Sequence, residues 1–342
     1  MAPLAGTHSL DPASLRPASA DASFRRYLRL DGSAGPRIVM DAPPAVEDCA
    51  PFVRVAALIG GAGLHTPQVL AWDAAQGFML LSDLGSRTYL AELQSLDLTT
   101  GASQRQAHTL YIEALEALVR LQGIAAGNDI PRYDSALMQR ELDLFPTWYV
   151  EKHRGITLTE PQRDVLSQAC EQILRVCLAQ PTVLVHRDFH SRNLMVCAPH
   201  TAPGAGPAPH PGILDFQDAV QGPITYDLVS LLRDAYIEWD EEQQIDWAVR
   251  YWERARKAGL PVDADFGNFW RDLDWMGLQR HLKVLGIFAR LHHRDGKDGY
   301  LKDLPLVWRQ AHRVAARYST LRPLSRLLEE VAGVEVQAGY TF

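Results

Sequence analysis

The sequence is poor in cysteine. Its 342 residues hold four, Cys49, Cys170, Cys177 and Cys197, with no C-x-x-C pair and no zinc-ligand rhythm with nearby histidines. A disulfide framework and a structural zinc are thereby excluded, and packed, reduced thiols are expected. Cys170 and Cys177, seven apart in a helical pattern, are expected to share a buried helix face. Positive charge is also short. Lys and Arg total 34 against 41 for Asp and Glu, and a net charge of -7 offers no general attraction to nucleic acid. The N-terminal residues lack the basic start and apolar run of a signal peptide, and no run approaches a membrane span. The expectation is a cytoplasmic protein with no membrane and no nucleic-acid partner.

Against these absences stands an apolar fraction of 47%, more than one ordinary core absorbs over this length, so two lobes are expected. After a Pro- and Ala-rich lead to about residue 22, residues 24–30 alternate with strand periodicity. Asp31-Gly32-Ser33 supplies a turn, and 37–40 returns as a second strand stopped at Pro43-Pro44. A helix over 48–60 and strands over 68–72 and 77–81 complete a small strand-rich lobe, residues 1–84. From residue 103 the period changes: Ala107, Leu110, Tyr111, Ala114, Leu115 and Leu118 recur at helical spacing. Further helices are predicted over 134–150, 160–179, 225–236, 241–258, 265–292 and 305–331. The second lobe, residues 85–342, is therefore mainly helical, and the chain reads as a two-lobed α+β fold. Its one β-like island, 182–186, 194–197 and 212–216, is interrupted at 200–211 by a Pro-, Gly- and Ala-rich stretch expected to be an exposed loop.

The chemistry is concentrated in that island. An apolar segment delivers His186-Arg187-Asp188, Asn193 lies five residues past Asp188, and a second apolar segment delivers Asp215. Phosphoryl transfer from ATP needs one carboxylate to orient the attacking hydroxyl and accept its proton, and two oxygen ligands to hold Mg²⁺ across the phosphates. Asp188 is the candidate base, and Asn193 and Asp215 are the candidate metal ligands. The plainer alternative is a polar loop in which Asp188 and Asn193 cap turns. The β-like flanks and a strand-rich lobe ahead of a helical one favour the kinase arrangement.

Four phrases carry a resemblance: Ala-Ser-Phe-Arg-Arg-Tyr (22–27), Val-Met-Asp-Ala-Pro-Pro (39–44), His-Arg-Asp-Phe-His-Ser-Arg-Asn-Leu-Met (186–195), and 214–231, which begins Leu-Asp-Phe-Gln-Asp. They resemble the aminoglycoside phosphotransferase family, which has a protein-kinase-like fold, and within it the bacterial anomeric kinases of N-acetylmuramate and N-acetylglucosamine, over about residues 20–330. The resemblance implies ATP and Mg²⁺, a small-molecule sugar acceptor, and a sugar 1-phosphate product that serves peptidoglycan recycling. Composition and spacing do not reach that substrate. A kinase of another hydroxyl, on an aminoglycoside, choline or an amino acid, stays open, as does a nucleotide-binding pseudokinase.

The first lobe departs from the kinase pattern twice. The phosphate-covering loop, 18–24, has no glycine. The strand expected to carry a phosphate-binding lysine ends in Met40, and no lysine precedes Lys152. Another cation is needed, and Arg25, Arg26, Arg29 and Arg37 are available, with Arg26 and Arg37 the cofactor-binding candidates. Glu47 is either the partner of such an arginine or a charge at a helix start. Ser82, Asp83 and Leu84 mark the connection expected to read the adenine through backbone groups. Arg187, His190 and Arg192 are candidates to meet an acidic substrate or phosphate, and Asp218 to support the metal site. His186 reads as a loop brace, Asp227 as a helix cap, and the acidic run at 238–242 as a helix start. Trp148, Trp239, Trp270 and Trp275 read as packing residues.

Overall fold

The structure, a computed structural model, describes residues 10–20, 25–197 and 211–333. The expected covering loop lies largely outside the described residues, and the expected exposed loop at 200–211 almost wholly so. Two compact units divide the chain, one of Met1–Ile124 with His186–Ala219, the other of Ala125–Val185 with Val220–Phe342.

The first unit is built on an antiparallel five-stranded sheet: β1 (Leu10–Ala20), β2 (Arg26–Gly32), β3 (Arg37–Asp41), β4 (Val69–Asp73) and β5 (Phe78–Ser82), in the order β1-β2-β3-β5-β4. The four later strands fall where alternation predicts them. β1 does not, because its prolines argue against a strand, yet as an edge strand it has one side without a partner to satisfy, and its register slips between Asp11 and Arg16 and between Pro17 and Ser19.

Strand pairing sorts the sheet into two faces. Leu28, Val39 and Leu80 stand in one cross-strand row, and with Leu30 and Phe78 they form an apolar cluster on one face. Tyr27, Met40 and Met79 form a row on the other, with Arg29, Ile38 and Leu81 beside it.

Helix α1 (Ala50–Gly61) starts with Pro51 in its first turn and buries Phe52, Val55, Ala56 and Ile59, the i, i+3, i+4, i+7 stripe of one face. The segment leading into it is pinned by the β4–β5 turn, where the Ala42 amide donates to the Gly77 carbonyl at 2.8 Å. Gly77 has φ +74°, and a Cβ there would stand 2.1 Å from the Ala42 oxygen, so only glycine fits. Two more helices follow, α2 (Tyr89–Ser95) and α3 (Gly101–Gln122), each capped by a threonine side chain, Thr88 and Thr100. The unit ends with the two-stranded pair β7 (Leu194–Met195) and β8 (Gly212–Ile213).

The second unit pairs β6 (Thr182–Val185) with β9 (Val220–Pro223) and is otherwise helical: α4 (Ser135–Leu142), α5 (Glu160–Leu178), α6 (Tyr226–Leu232), α7 (Glu241–Lys257), α8 (Phe266–Asp295), α9 (Leu304–Arg317) and α10 (Arg322–Ala332). Two predicted helices are broken. The one at 134–150 ends at Leu142 and gives way to a π-helical segment, Phe145–His153, opened by Pro146. The one at 305–331 is interrupted by a 3₁₀ turn, Ser319–Leu321, before Pro323 restarts it. The acidic run does start a helix, with the Asp240 carboxylate accepting from the Gln243 amide. Asp227 is not a cap: Thr225 holds that position, and Asp227 sits fully buried inside the first turn of α6.

Helix α8 is the axis of this unit. At Gly286 it runs so close to the backbone of Leu144 that a Cβ would meet the Leu144 carbonyl carbon at 2.4 Å. The cysteines are all buried, Cys49 and Cys197 in the first unit, Cys170 and Cys177 on the inner face of α5 in the second. Burial raises each thiol above its ordinary range, Cys170 to about 12.

Candidate active site

The β7–β8 pair explains how two distant residues meet. Leu194 pairs with Ile213 in antiparallel register, so Asn193, just before β7, and Asp215, just after β8, emerge at the same end. The Leu214 amide donates to the Asn193 carbonyl at 2.9 Å, and the Asn193 side-chain amide reaches Asp215 Oδ2 at 3.3 Å. The same Asn193 Nδ2 donates to the carbonyl of Asp188 at 3.0 Å, which folds the loop so that all three candidate residues converge. The other oxygen of Asp215 accepts from Gln217 Nε2 at 2.7 Å. Gln217 was not singled out in the sequence. Its place two residues past Asp215 is the signal that was available.

The loop is held from inside. His186 is fully buried, and its Nδ1 accepts the Asp188 amide at 3.2 Å, while its ring meets Phe189 edge-on. Burial drives this imidazole down to about 4, against the pull of Asp188 and a backbone hydrogen bond at Leu214. A ring kept neutral in this way is a fixed acceptor, which suits a brace. The Asp188 carboxylate remains 38% exposed, with His190 Nε2 3.9 Å away. Backbone bonds from His190 to the Asp188 carbonyl and from Asn193 to the His190 carbonyl tighten the turn, and the Leu90 amide donates to the Ser191 carbonyl.

Arg187 and Asp215 have φ of +78° and +62°, a region non-glycine residues rarely occupy. Such backbone strain is characteristic of functional positions. Arg187 is half-buried, His190 is buried, and Arg192 and Asp218 are exposed.

At the connection after β5, Arg29 donates to both Asp83 oxygens, at 2.5 and 2.9 Å, and to the Gly85 carbonyl at 2.8 Å. Asp83 also accepts the Gly85 amide, so its carboxylate fixes the shape of the segment. Ser82 pairs with β3 and accepts the Gln68 amide. Leu84 turns into an apolar cluster with Met195, Cys197 and Leu214. A Cβ on Gly212 would meet Cys197 Sγ at 2.6 Å, so this cluster closes only over glycine.

The four strand arginines have four different situations. Arg26 is 74% exposed and pairs with its cross-strand neighbour Asp41. Arg37 binds the turn carbonyls of Ala34, Gly35 and Pro36. Arg29 is committed to Asp83. Arg25 pairs with Glu47 at 3.0 Å, both side chains only 12% exposed.

The site as a whole offers one accessible carboxylate beside an amide and carboxylate pair, a donor set fitted to a hydroxyl and a hard oxygen-seeking cation. Among the described residues there is no group of three or more His, Cys, Asp or Glu side chains that would hold a metal by themselves. Among the described residues no helix is long and apolar enough to cross a membrane.

Comparison with known proteins agrees with this geometry. The model of the phosphotransferase enzyme family matches residues 14–266. The chain is 45% identical to an N-acetylmuramate/N-acetylglucosamine kinase of Pseudomonas aeruginosa, over 94% of this chain and 90% of that one. It is 47% identical to a protein of the same name from Neisseria meningitidis, over 95% and 93%. Among solved structures, a choline kinase from Streptococcus pneumoniae superposes with a TM-score of 0.62 at 12% identity, covering 93% of this chain and 97% of that chain. An ADP-bound aminoglycoside phosphotransferase superposes at 0.57 and 15% identity, covering 92% and 97%. At those identities the structures speak for the fold.

Proposed function

The chain belongs to the phosphotransferase enzyme family, and from that premise we propose that it is a cytoplasmic kinase that moves the γ-phosphate of ATP onto the anomeric hydroxyl of N-acetylmuramate or N-acetylglucosamine. The product is the sugar 1-phosphate, and the role is in peptidoglycan recycling. The substrate rests on the relatives of that name, which match almost end to end at 43–47% identity. The chemistry rests on one observation: an exposed Asp188 carboxylate whose own carbonyl is tied through Asn193 to Asp215.

In this reading Asp188 accepts the hydrogen of the anomeric hydroxyl and aims its oxygen at the γ-phosphorus, and the phosphoryl group leaves ADP as the new P–O bond forms. Asn193 and Asp215 are the residues that hold Mg²⁺. Their amide and carboxylate oxygens suit an ion that takes few protein ligands and keeps phosphate oxygens and waters for the rest. When bound, the ion neutralises charge on the phosphates. Gln217 orients the Asp215 carboxylate. Leu84, with the backbone of Ser82 and Asp83, takes the adenine, so that residues 1–84 serve as the nucleotide-covering lobe and 85–342 as the catalytic and substrate lobe. Arg187, His190, Arg192 and Asp218 remain the proposed contacts to the acceptor, and Arg26 and Arg37 are the cations on the Leu28, Val39 and Leu80 face of the sheet, Arg26 exposed and Arg37 half-buried.

The test is ³¹P NMR of the protein with Mg²⁺, ATP and each sugar. The expected product is a phosphomonoester coupled to the anomeric proton. ATP consumed only with an aminoglycoside, choline or an amino acid would remove the sugar assignment and keep the mechanism.

A further inference from the structure

We infer that Arg25, held by Glu47, is the cation that takes the place of the missing strand lysine and binds the phosphates of the nucleotide. The inference rests on the proposed use of ATP, and it chooses one among the four strand arginines between which the sequence pattern does not decide.

A phosphate-binding cation in this unit has to satisfy three conditions. It must stay charged away from bulk water, it must be fixed by a carboxylate that does not itself belong to the metal site, and it must lie on the face of the sheet opposite the outer apolar cluster. Arg26 fails the third, because it pairs across to Asp41 in the Leu28, Val39 and Leu80 half of the sheet and is 74% exposed. Arg37 belongs to the same half and is spent on three turn carbonyls. Arg29 has the right face but is bound at both ends of its fork to Asp83 and to Gly85.

Arg25 meets all three. Its interaction with Tyr27, two residues on, puts both on one side of the chain, and Tyr27 is the cross-strand partner of Met40, which lies in the strand where lysine is missing. Met40 is fully buried, so nothing polar from that strand competes for the space. Burial works against its charge, but the Tyr27 hydroxyl and the Glu47 carboxylate outweigh it, and the guanidinium lies above its already high ordinary range.

Glu47 ties this cation to the metal ligands. Its amide donates to the Pro43 carbonyl in the turn that leads into α1, and α1 carries Phe52, whose ring lies 4.8 Å from that of Phe216. Phe216 is fully buried and adjoins Asp215 in sequence. One helix therefore connects the carboxylate that fixes Arg25 with the residue next to the proposed Mg²⁺ ligand, all inside one compact unit. A guanidinium is suited to the task, since its planar fork matches two phosphate oxygens where an ammonium offers a point charge. Glu47 is a positioning residue: it acts on the nucleotide through Arg25.

The experiment compares the unaltered full-length protein with Arg25→Lys, Arg25→Met and Glu47→Gln, reading the dissociation constants of ATP, ADP and adenosine by calorimetry together with kcat. Arg25→Met is expected to lower kcat about 10²-fold and to weaken ATP and ADP while leaving adenosine unchanged. Arg25→Lys should recover part of the loss, and Glu47→Gln should weaken ATP less than Arg25→Met does. A merely structural pair would lower the melting temperature and weaken adenosine along with ATP, and that outcome overturns the inference. Unchanged ATP affinity and kcat in Arg25→Met overturns it as well. Because nucleotide binding is read without sugar, a wrong acceptor leaves this test intact, whereas failure of the unaltered protein to bind ATP would overturn both the inference and the kinase reading.

Discussion

The two units treat buried charge differently. In the second unit charges are closed on one another: Lys283 and Glu141 pair at 2.9 Å, both under 10% exposed, with Tyr133, Tyr226 and Gln279 completing the network. Asp274 is likewise enclosed by Arg233 at 2.6 Å, Arg317 at 2.8 Å and the Tyr318 hydroxyl. The first unit also holds closed pairs, Arg25 with Glu47 and Arg29 with Asp83, but at the loop that carries Asp188 its carboxylates converge. Asp188 keeps a third of its surface open, and Asp215 accepts from the side-chain amides of Asn193 and Gln217. Carboxylates that converge at an open surface are candidates to meet a cation that arrives with a substrate, whereas mutually neutralised pairs specify packing.

The largest expected effect breaks the comparison on the open side. Asp188→Asn should reduce turnover by about 10³-fold or more, with the melting temperature nearly unchanged, as a coupled ADP-release assay and thermal unfolding would show. On the closed side the expectation reverses. Lys283→Met leaves Glu141 buried without its cation and should cost about 3 kcal/mol of stability, read from urea unfolding, without the collapse in turnover expected at Asp188.

A third prediction uses acid. Burial holds His186 near 4 and His281, in the second unit, near 3, both below an ordinary imidazole at about 6.5. Folding keeps both neutral, so the unfolded chain takes up their protons first as the pH falls. The stability they confer is complete above pH 6.5 and is lost progressively as pH drops from there towards 4, at about 1.4 kcal/mol per unit per histidine. Unfolding followed at pH 7.5, 6 and 5 should show this decline, and His186→Asn should make it shallower. The smallest effect sharpens the contrast with Arg25. Arg16 and Asp31 form an ion pair at 2.8 Å that is about half exposed, and Arg16→Ala should leave the melting temperature unmoved within error.

Much of this was legible in the sequence, and the parts that were not have physical reasons. Four strands of the first sheet and the catalytic loop follow from alternation and from residue types at fixed spacing. β1 escaped because composition penalises proline everywhere, while the sheet penalises it only where both sides are paired. The π-helical segment at Phe145–His153 escaped because apolar periodicity does not distinguish a helix that continues from one that widens. Asp188, Asn193 and Asp215 could be proposed beforehand because the roles proposed for them fix their types. Gln217, Arg25 and Leu84 could not be assigned in the same way, since a brace, a cation and an apolar cluster can each come from many positions, and only register and burial choose among them.

The buried cysteines, unremarkable for catalysis, make the chain its own unfolding probe. With protonation favoured and access closed, each thiol is silent towards iodoacetamide until the segment around it opens, and each unit carries two such reporters. Alkylation followed by peptide mass spectrometry, with ATP or sugar added in turn, would give a clock for each unit separately. Slowing of Cys49 and Cys197 by ATP alone would time the opening of the nucleotide-handling half in the native protein, with no mutation and no attached dye.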